Sequence, residues 1–226
     1  MLGTLVNVGA IALGSLIGLI LGGKLSDDLA NTITKALSLC IMVIGASSAL
    51  KSENQMLCVI SVAVGALIGQ AVNIDKRLAA LGDKIQNMFS KGGTSTISEG
   101  FVSATLLYCI GAMAILGSMN SGLKGDHSVL FTKSILDGIT SVVLASTLGL
   151  GVMFSAVSVF IYQGSITLFS IFLQKYVVDA MIVEISAVGG ILIMGIAVNM
   201  LGAAKIKVAN ILPSIFVAVA YYMIFN

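Results

Sequence analysis

Long stretches of the chain carry no charge at all. Met1–Gly23, Asn54–Ile74, Gly100–Gly122, Gly138–Gln174, Ile185–Ala204 and Val208–Asn226 are free of Asp, Glu, Lys and Arg. Their polar residues do not alternate with apolar ones, as lipid-facing and lumen-facing positions of a membrane barrel would. A helix crosses the bilayer core with about 20 mostly apolar residues. It also satisfies its backbone within the segment, which lipid requires. The pattern predicts helices near 2–23, 31–50, 55–74, 100–119, 129–148, 150–174, 178–201 and 207–225. The run from Gly138 to Gln174 is too long for one crossing, and Gly149 and Gly151 offer the turn that divides it. The expected fold is an all-α polytopic membrane bundle. Eight crossings is the preferred count and seven the rival.

Composition agrees with this reading. Charged residues make up 10% of the chain and apolar ones 58%, where soluble domains average about 25% charged. The first run lacks the basic n-region of a secretory signal peptide, so it is expected to stay as a span. Net charge, +2, says little, but the placement of Lys and Arg sets an orientation. With eight crossings, Lys24, the cluster Lys76, Arg77, Lys84 and Lys91, and the pair Lys205 and Lys207 share one side; Lys51, Lys124 and Lys175 share the other. The first side is expected to be cytoplasmic, with both termini outside.

A single membrane domain, 1–226, is expected, in two halves, 1–74 and 99–226. Between them, 75–98 reads as an amphipathic surface helix and a Gly/Ser/Thr-rich linker: Ile74, Leu78, Leu81, Ile85 and Met88 recur at helical spacing. GAIALGS at Gly9–Ser15 is echoed by GAMAILGS at Gly111–Ser118, and TKALSLCIMVIGASS at Thr34–Ser48 by TKSILDGITSVVLAST at Thr132–Thr147. Three crossings separate the partners of each match, which suggests an inverted repeat of the kind found in transporters. ISVAVGALIGQAVN at Ile60–Asn73 also resembles ISAVGGILIMGIAVN at Ile185–Asn199, four crossings away, a parallel relation that conflicts with it. Gly14, Gly18 and Gly22 form a GxxxGxxxG row, and Gly65 and Gly69 a second pair, which let helix backbones approach closely. Packing inside one subunit is preferred to a dimer seam, although a homodimer stays open.

Against this background a few polar residues stand out. Asp137 lies within or at the edge of the fifth span, and Lys133, four residues earlier, shares its helical face. A charge within the bilayer costs from ~2.5 kcal/mol upward, so such groups face the bundle interior or a wet cavity. The bland alternative is a structural ion pair near the interface. Glu184, followed by Ser186, Gly189 and Gly190, is a second carboxylate near the start of its span. The last span carries Asn210 and the only proline, Pro213, which frees a backbone carbonyl one turn earlier or simply begins the helix. Asn7 and Asn199 are lone amides in apolar runs, which more often join helices than touch a substrate. Asp137, Glu184 and Asn210 are expected to line one water-accessible cavity, with Asn7 nearby.

Other chemistry finds little to build on. Cys40, Cys58 and Cys109 sit in apolar runs without ligand spacing, so neither a metal nor a cofactor is expected. Asp126, His127 and Ser128 are consecutive and cannot form a hydrolase triad; Asp126 or Ser128 reads as a cap for the helix beginning near Val129. No nucleophile–base pair, metal set or cofactor motif is present, so an enzyme is not expected, and without a Walker motif ATP-driven transport by this chain alone is not expected either.

Three segments carry a resemblance: TLVNVGAIALGSLIG, GAMAILGSMNSGLKGDHSVLFTKSILDG, and EISAVGGILIMGIAVNML with AKIKVANILPSIFVA. In them the chain resembles the bacterial inner-membrane family that includes YqgA and YdfK, a domain of unknown function. The resemblance places Asn7, Ser118, Asp126, Lys133, Asp137, Ser186, Gly189, Gly190, Asn210 and Pro213 on motif positions. Glu184 stands where the family has an Asp, and His127 where a Pro can occur, which argues against catalysis by His127. The family implies the inner membrane but no substrate. The expected function is therefore a transporter or channel for a small ion or polar solute, coupled to protons or sodium through Asp137 or Glu184. Asp137, Lys133, Glu184, Asn210, Asn7 and Ser186 are its candidate binding residues. The alternative is a non-transport scaffold or assembly partner. The expected partners are the bilayer and the solute, not nucleic acid.

Overall fold

The structure is a computed structural model that describes residues 1–22, 26–77, 80, 97–109, 112–173, 175 and 178–225. Most of the expected amphipathic helix and linker at 75–98, and Lys24, Lys84 and Lys91, lie outside the described residues. The described chain is helical, with no strand among the described residues. The helices are α1 (Leu2–Gly22), α2 (Asp27–Ala49), α3 (Gln55–Val72), α4 (Ile97–Cys109), α5 (Ala112–Leu123), α6 (Ser128–Leu148), α7 (Gly151–Leu173), α8 (Asp179–Met200), α9 (Val208–Ile211) and α10 (Ser214–Phe225). Their ends fall close to those read from the charge-free runs, for the reason expected. Asn54 caps α3 by accepting from Leu57 N, and Asn73 ends it in the left-handed region, φ 56°. Gly149, φ 74°, ends α6.

Two expected spans are broken. The fourth is not one helix over 100–119 but the pair α4 and α5, bent by 59°. The last is divided at Pro213, which has no N–H to donate to the carbonyl of Ala209; Leu212 N approaches that carbonyl instead, at 3.3 Å.

Contacts gather the chain into two compact units: Met1–Thr34 with Gly82–Val177, and Lys35–Leu81 with Val178–Asn226. Each unit draws on both halves read from the sequence, so the linker and the units cut the chain differently.

In the first unit α1 lies along α6. The glycine row makes this possible: a Cβ on Gly14 would collide with the Gly138 carbonyl, one on Gly18 with the Val142 carbonyl, and one on Gly22 would stand 2.6 Å from Ser146 O. The GxxxGxxxG row is thus used up by packing within the chain, and is not available as a dimer seam. Gly3 meets Leu130 and Gly22 meets Ser146, so α1 and α6 run in the same direction. The bent pair follows α7: Gly100 packs on Leu148 and Val152 near the start of α7, and Gly122 on Thr167 and Ser170 near its end. The pair therefore traverses the same depth as α7, a helix of 23 residues that rises about 34 Å.

Seven helices are long and apolar enough to span, and the bent pair is the eighth candidate. For α1 and α6 to run the same way, an odd number of crossings must separate them. The parallel run of α1 and α6 is what eight crossings, the preferred count, would produce. In the second unit, α3 packs on the last two helices, where Gly65 meets Ser214 and Gly69 meets the Asn210 carbonyl, and Gly45 of α2 packs on Gly190 and Met194 of α8. The outward faces carry large apolar side chains such as Leu13, Val43, Leu67, Ile139, Phe172 and Phe216, as lipid-facing surfaces should.

Candidate functional site

The inner face of α6 carries Leu130, Lys133, Ser134, Asp137, Ser141 and Leu144, spaced by three and four residues, all buried. Lys133 Nζ donates to Asp137 Oδ1 at 2.8 Å and lies 2.8 Å from Oδ2 as well. Asn7 Nδ2, from α1, donates to Asp137 Oδ2 at 3.0 Å. The three residues are 7%, 6% and 0% exposed. Asp137 falls near the midpoint of the 21-residue α6, with Lys133 one turn nearer its start. One turn on, Ser141 Oγ pairs with the Tyr108 hydroxyl at 2.8 Å. Lys133, Asp137 and Asn7 are brought together because the helical spacing stacks the first two and the glycine contacts let α1 close on α6.

Glu184 has a different setting. Its Oε2 accepts from Ser52 Oγ at 2.6 Å, and its Oε1 from the backbone N–H of Glu53 at 2.8 Å and of Asn54 at 3.1 Å. It is 4% exposed and clamps the turn between α2 and α3. Glu53, Asn54, Leu57, Ala180 and Tyr222 form a pocket of about 280 Å³ beside it.

Asn210 lies at the other end of α3. Its Oδ1 accepts from Asp75 N at 2.7 Å, and its Nδ2 donates to Gln70 Oε1 at 2.8 Å. A pocket of about 390 Å³ there is lined by Ala66, Gln70, Lys207 and Asn210. Glu184 and Asn210 are thus separated by the 18 residues of α3, about 27 Å of helix. The expectation that Glu184 and Asn210 share one cavity is corrected, since they serve opposite ends of α3; the partners of Asp137 described above lie within the first unit. Ser186 is buried, and its hydroxyl has no hydrogen-bond partner among the described residues. Asn199 joins no second helix; it clamps the following loop through both backbone groups of Ile206, at 2.7 Å each.

The loop before α6 behaves as a cap. Asp126 Oδ1 accepts from Ser128 N at 3.0 Å, and this bond holds its carboxyl below the ordinary carboxylate range. The helix begins at Ser128, one residue earlier than expected. His127 is not simply solvated: its Nδ1 lies 2.9 Å from Ser121 Oγ and its ring leans on Phe131.

Several polar residues were not singled out from the sequence. Ser52 and the 53–54 amides gave no signal, because backbone donors are invisible in a residue pattern. Gln163 did carry one: it is a lone amide in the middle of an apolar run, as Asn7 is. Gln163 is fully buried in α7, and neither of its side-chain polar atoms has a partner among the described residues.

Comparison with known proteins agrees with the architecture. The chain is 38% identical over 221 residues to the uncharacterized membrane protein YdfK of Bacillus subtilis (strain 168), covering 96% of this chain and 93% of YdfK. It is 28% identical over 221 residues to the uncharacterized protein YqgA of Escherichia coli (strain K12), covering 96% and 94%. No solved structure matches it. Residues 2–223 match the family described as protein of unknown function DUF554, and with a relative this similar along nearly its whole length, this multi-pass helical membrane protein belongs to that family.

Proposed function

We propose that the protein is a transporter or channel that carries a small ion or polar solute across the bacterial inner membrane, with Asn7, Lys133 and Asp137 at its working centre. The observation that supports this is the buried ion pair near the midpoint of α6. Charges at that depth are costly, and where they occur they mark solute pathways and proton relays. A pair kept only to join helices could be replaced by apolar residues at little cost or with a gain. In this reading Asp137 carries the coupling proton or sodium ion. Glu184 is a poorer carrier, since three donors already occupy its carboxylate; it holds the α2–α3 turn in place. The scaffold reading has less to draw on, because the small-residue rows that would dock a partner helix are filled from within the chain. The segment that includes Lys76 and Arg77 faces the cytoplasm.

Reconstitution in vesicles tests the proposal, with proton, sodium and uncharged-solute gradients applied in turn. Wild-type protein is expected to carry at least one of them above the protein-free rate, and Asp137→Asn to lose that flux while still inserting. No flux under any gradient, or flux indifferent to Asp137→Asn, overturns the reading.

A further inference from the structure

The first unit holds buried polar atoms that its own side chains leave unmatched. Gln163, near the middle of α7, is 0% exposed with both Oε1 and Nε2 unpartnered. Asn7 is 0% exposed, and because its Nδ2 must face Asp137, its Oδ1 must face away; that oxygen has no partner. Ser118 of α5 is 0% exposed with its hydroxyl unpartnered. Buried amides left unpaired are rare, and each needs an explanation.

Helix register brings these groups to a similar depth. Thr4 and Thr167 meet at 3.5 Å across α1 and α7. Those helices are antiparallel, since α1 runs with α6 and α6 turns back into α7. One turn along from that contact lies Asn7 on one helix and Gln163 on the other. Gly122 packs on Thr167 and Ser170, and one turn back from it lies Ser118.

The chemistry of the unmatched atoms restricts what could complete them. Asn7 Oδ1 and Gln163 Oε1 need donors, Gln163 Nε2 needs an acceptor, and the Ser118 hydroxyl can serve as either. A bare cation cannot accept from Nε2, and a bare anion cannot donate to the two carbonyl oxygens. The charged pair that Asn7 touches, Lys133 and Asp137, is already mutually neutralised. We infer that Asn7, Ser118 and Gln163 form an internal site for a small molecule without net charge that both donates and accepts hydrogen bonds: water, or a small polyol or amide. This deepens the transport reading, on which it rests, by making the transported solute uncharged; Asp137, the carrier of the coupling ion in that reading, also positions Asn7 through the 3.0 Å bond.

Two measurements test it. The first is the thermal stability of Gln163→Leu in detergent. If the amide is completed by a bound molecule, the substitution lowers Tm; if the amide is buried bare, removing it relieves the protein and raises Tm, which overturns the site. The second uses vesicles shrunk in sucrose or swollen in glycerol. Wild-type protein is expected to speed water or glycerol movement several-fold over protein-free vesicles, and Gln163→Leu to return it to that background. Acceleration in sucrose alone identifies water, and acceleration in glycerol a solute; both support the site. Flux of sodium or protons alone, unchanged in Gln163→Leu, overturns this inference while leaving transport standing. A lowered Tm with no flux of any kind keeps the site and removes the transport reading.

Discussion

The buried pair on α6 allows a test in which sign and size both matter. Lys133 Nζ lies 2.8 Å from each oxygen of Asp137, and the two residues are 7% and 6% exposed. Asp137→Asn removes the counter-charge and leaves an ammonium in an apolar helix interior; Lys133→Met leaves a carboxylate with Asn7 as its remaining partner. Breaking a buried pair from one side costs about 3–5 kcal/mol, whereas replacing both members by apolar residues of similar volume is often neutral or stabilising. Each single variant is therefore expected to unfold well below wild type. The Lys133→Met, Asp137→Leu double variant should be far less damaged than the sum of the singles, falling below wild type by about the 1–3 kcal/mol that an unpaired Asn7 amide costs, with a coupling of roughly 3 kcal/mol or more, at the top of the range for residues in contact. Thermal unfolding of the purified protein in one detergent, with a full double-mutant cycle, measures this. Single losses that simply add in the double variant would refute the pairing argument, since they would show that neither charge depends on the other.

Three further outcomes follow from packing and topology. Gly18→Leu should prevent α1 from closing on α6, because the colliding Val142 carbonyl is backbone; Gly9→Ala, with nothing within 4 Å of its new Cβ, should be neutral or gain about 0.5–1 kcal/mol, and equal effects of the two on folded yield would refute the proposed contact. Glu184→Gln should cost about 1–3 kcal/mol, because an amide that keeps one acceptor oxygen cannot match three donors, and should make the turn at Ser52–Asn54 more sensitive to protease; unchanged cleavage there would count against the clamp. With Cys40, Cys58 and Cys109 replaced, Lys76→Cys and Lys124→Cys should label from opposite sides of the membrane, because the bent pair α4–α5 lies between them; labelling from the same side would remove the eighth crossing.

Much of the framework was legible in the residue order. Charge-free runs gave the ends of α3, α6, α7 and α8 to within about two residues, because a helix in lipid needs only its own backbone and a sufficient apolar length. The i,i+4 spacing foretold the Lys133–Asp137 pair, since one helix contains both partners. The glycine rows announced close helix contacts but not their partners. The bend between α4 and α5 was missed because the run 100–122 carries no charge and periodicity alone reads it as continuous. Gln163 was overlooked although it carried the same signal as Asn7, an isolated amide in an apolar run.

What the sequence determined by itself is the helical membrane class, the ends of most unbroken segments and the identity of the polar residues placed within them. Only the tertiary structure decided which of those residues meet. Asn7 and Asp137 are 130 positions apart, Ser52 and Glu184 are 132 apart, and Gln70 and Asn210 are 140 apart. It drew Asn7 to Asp137, gave Glu184 to a turn and Asn210 to the far end of α3, and so separated residues that composition alone had grouped. The reason is physical: membrane helices complete their backbone bonds internally, so a helix sequence carries little record of its neighbours. Those neighbours are chosen by close packing at small residues and by the need of each buried polar group for a partner.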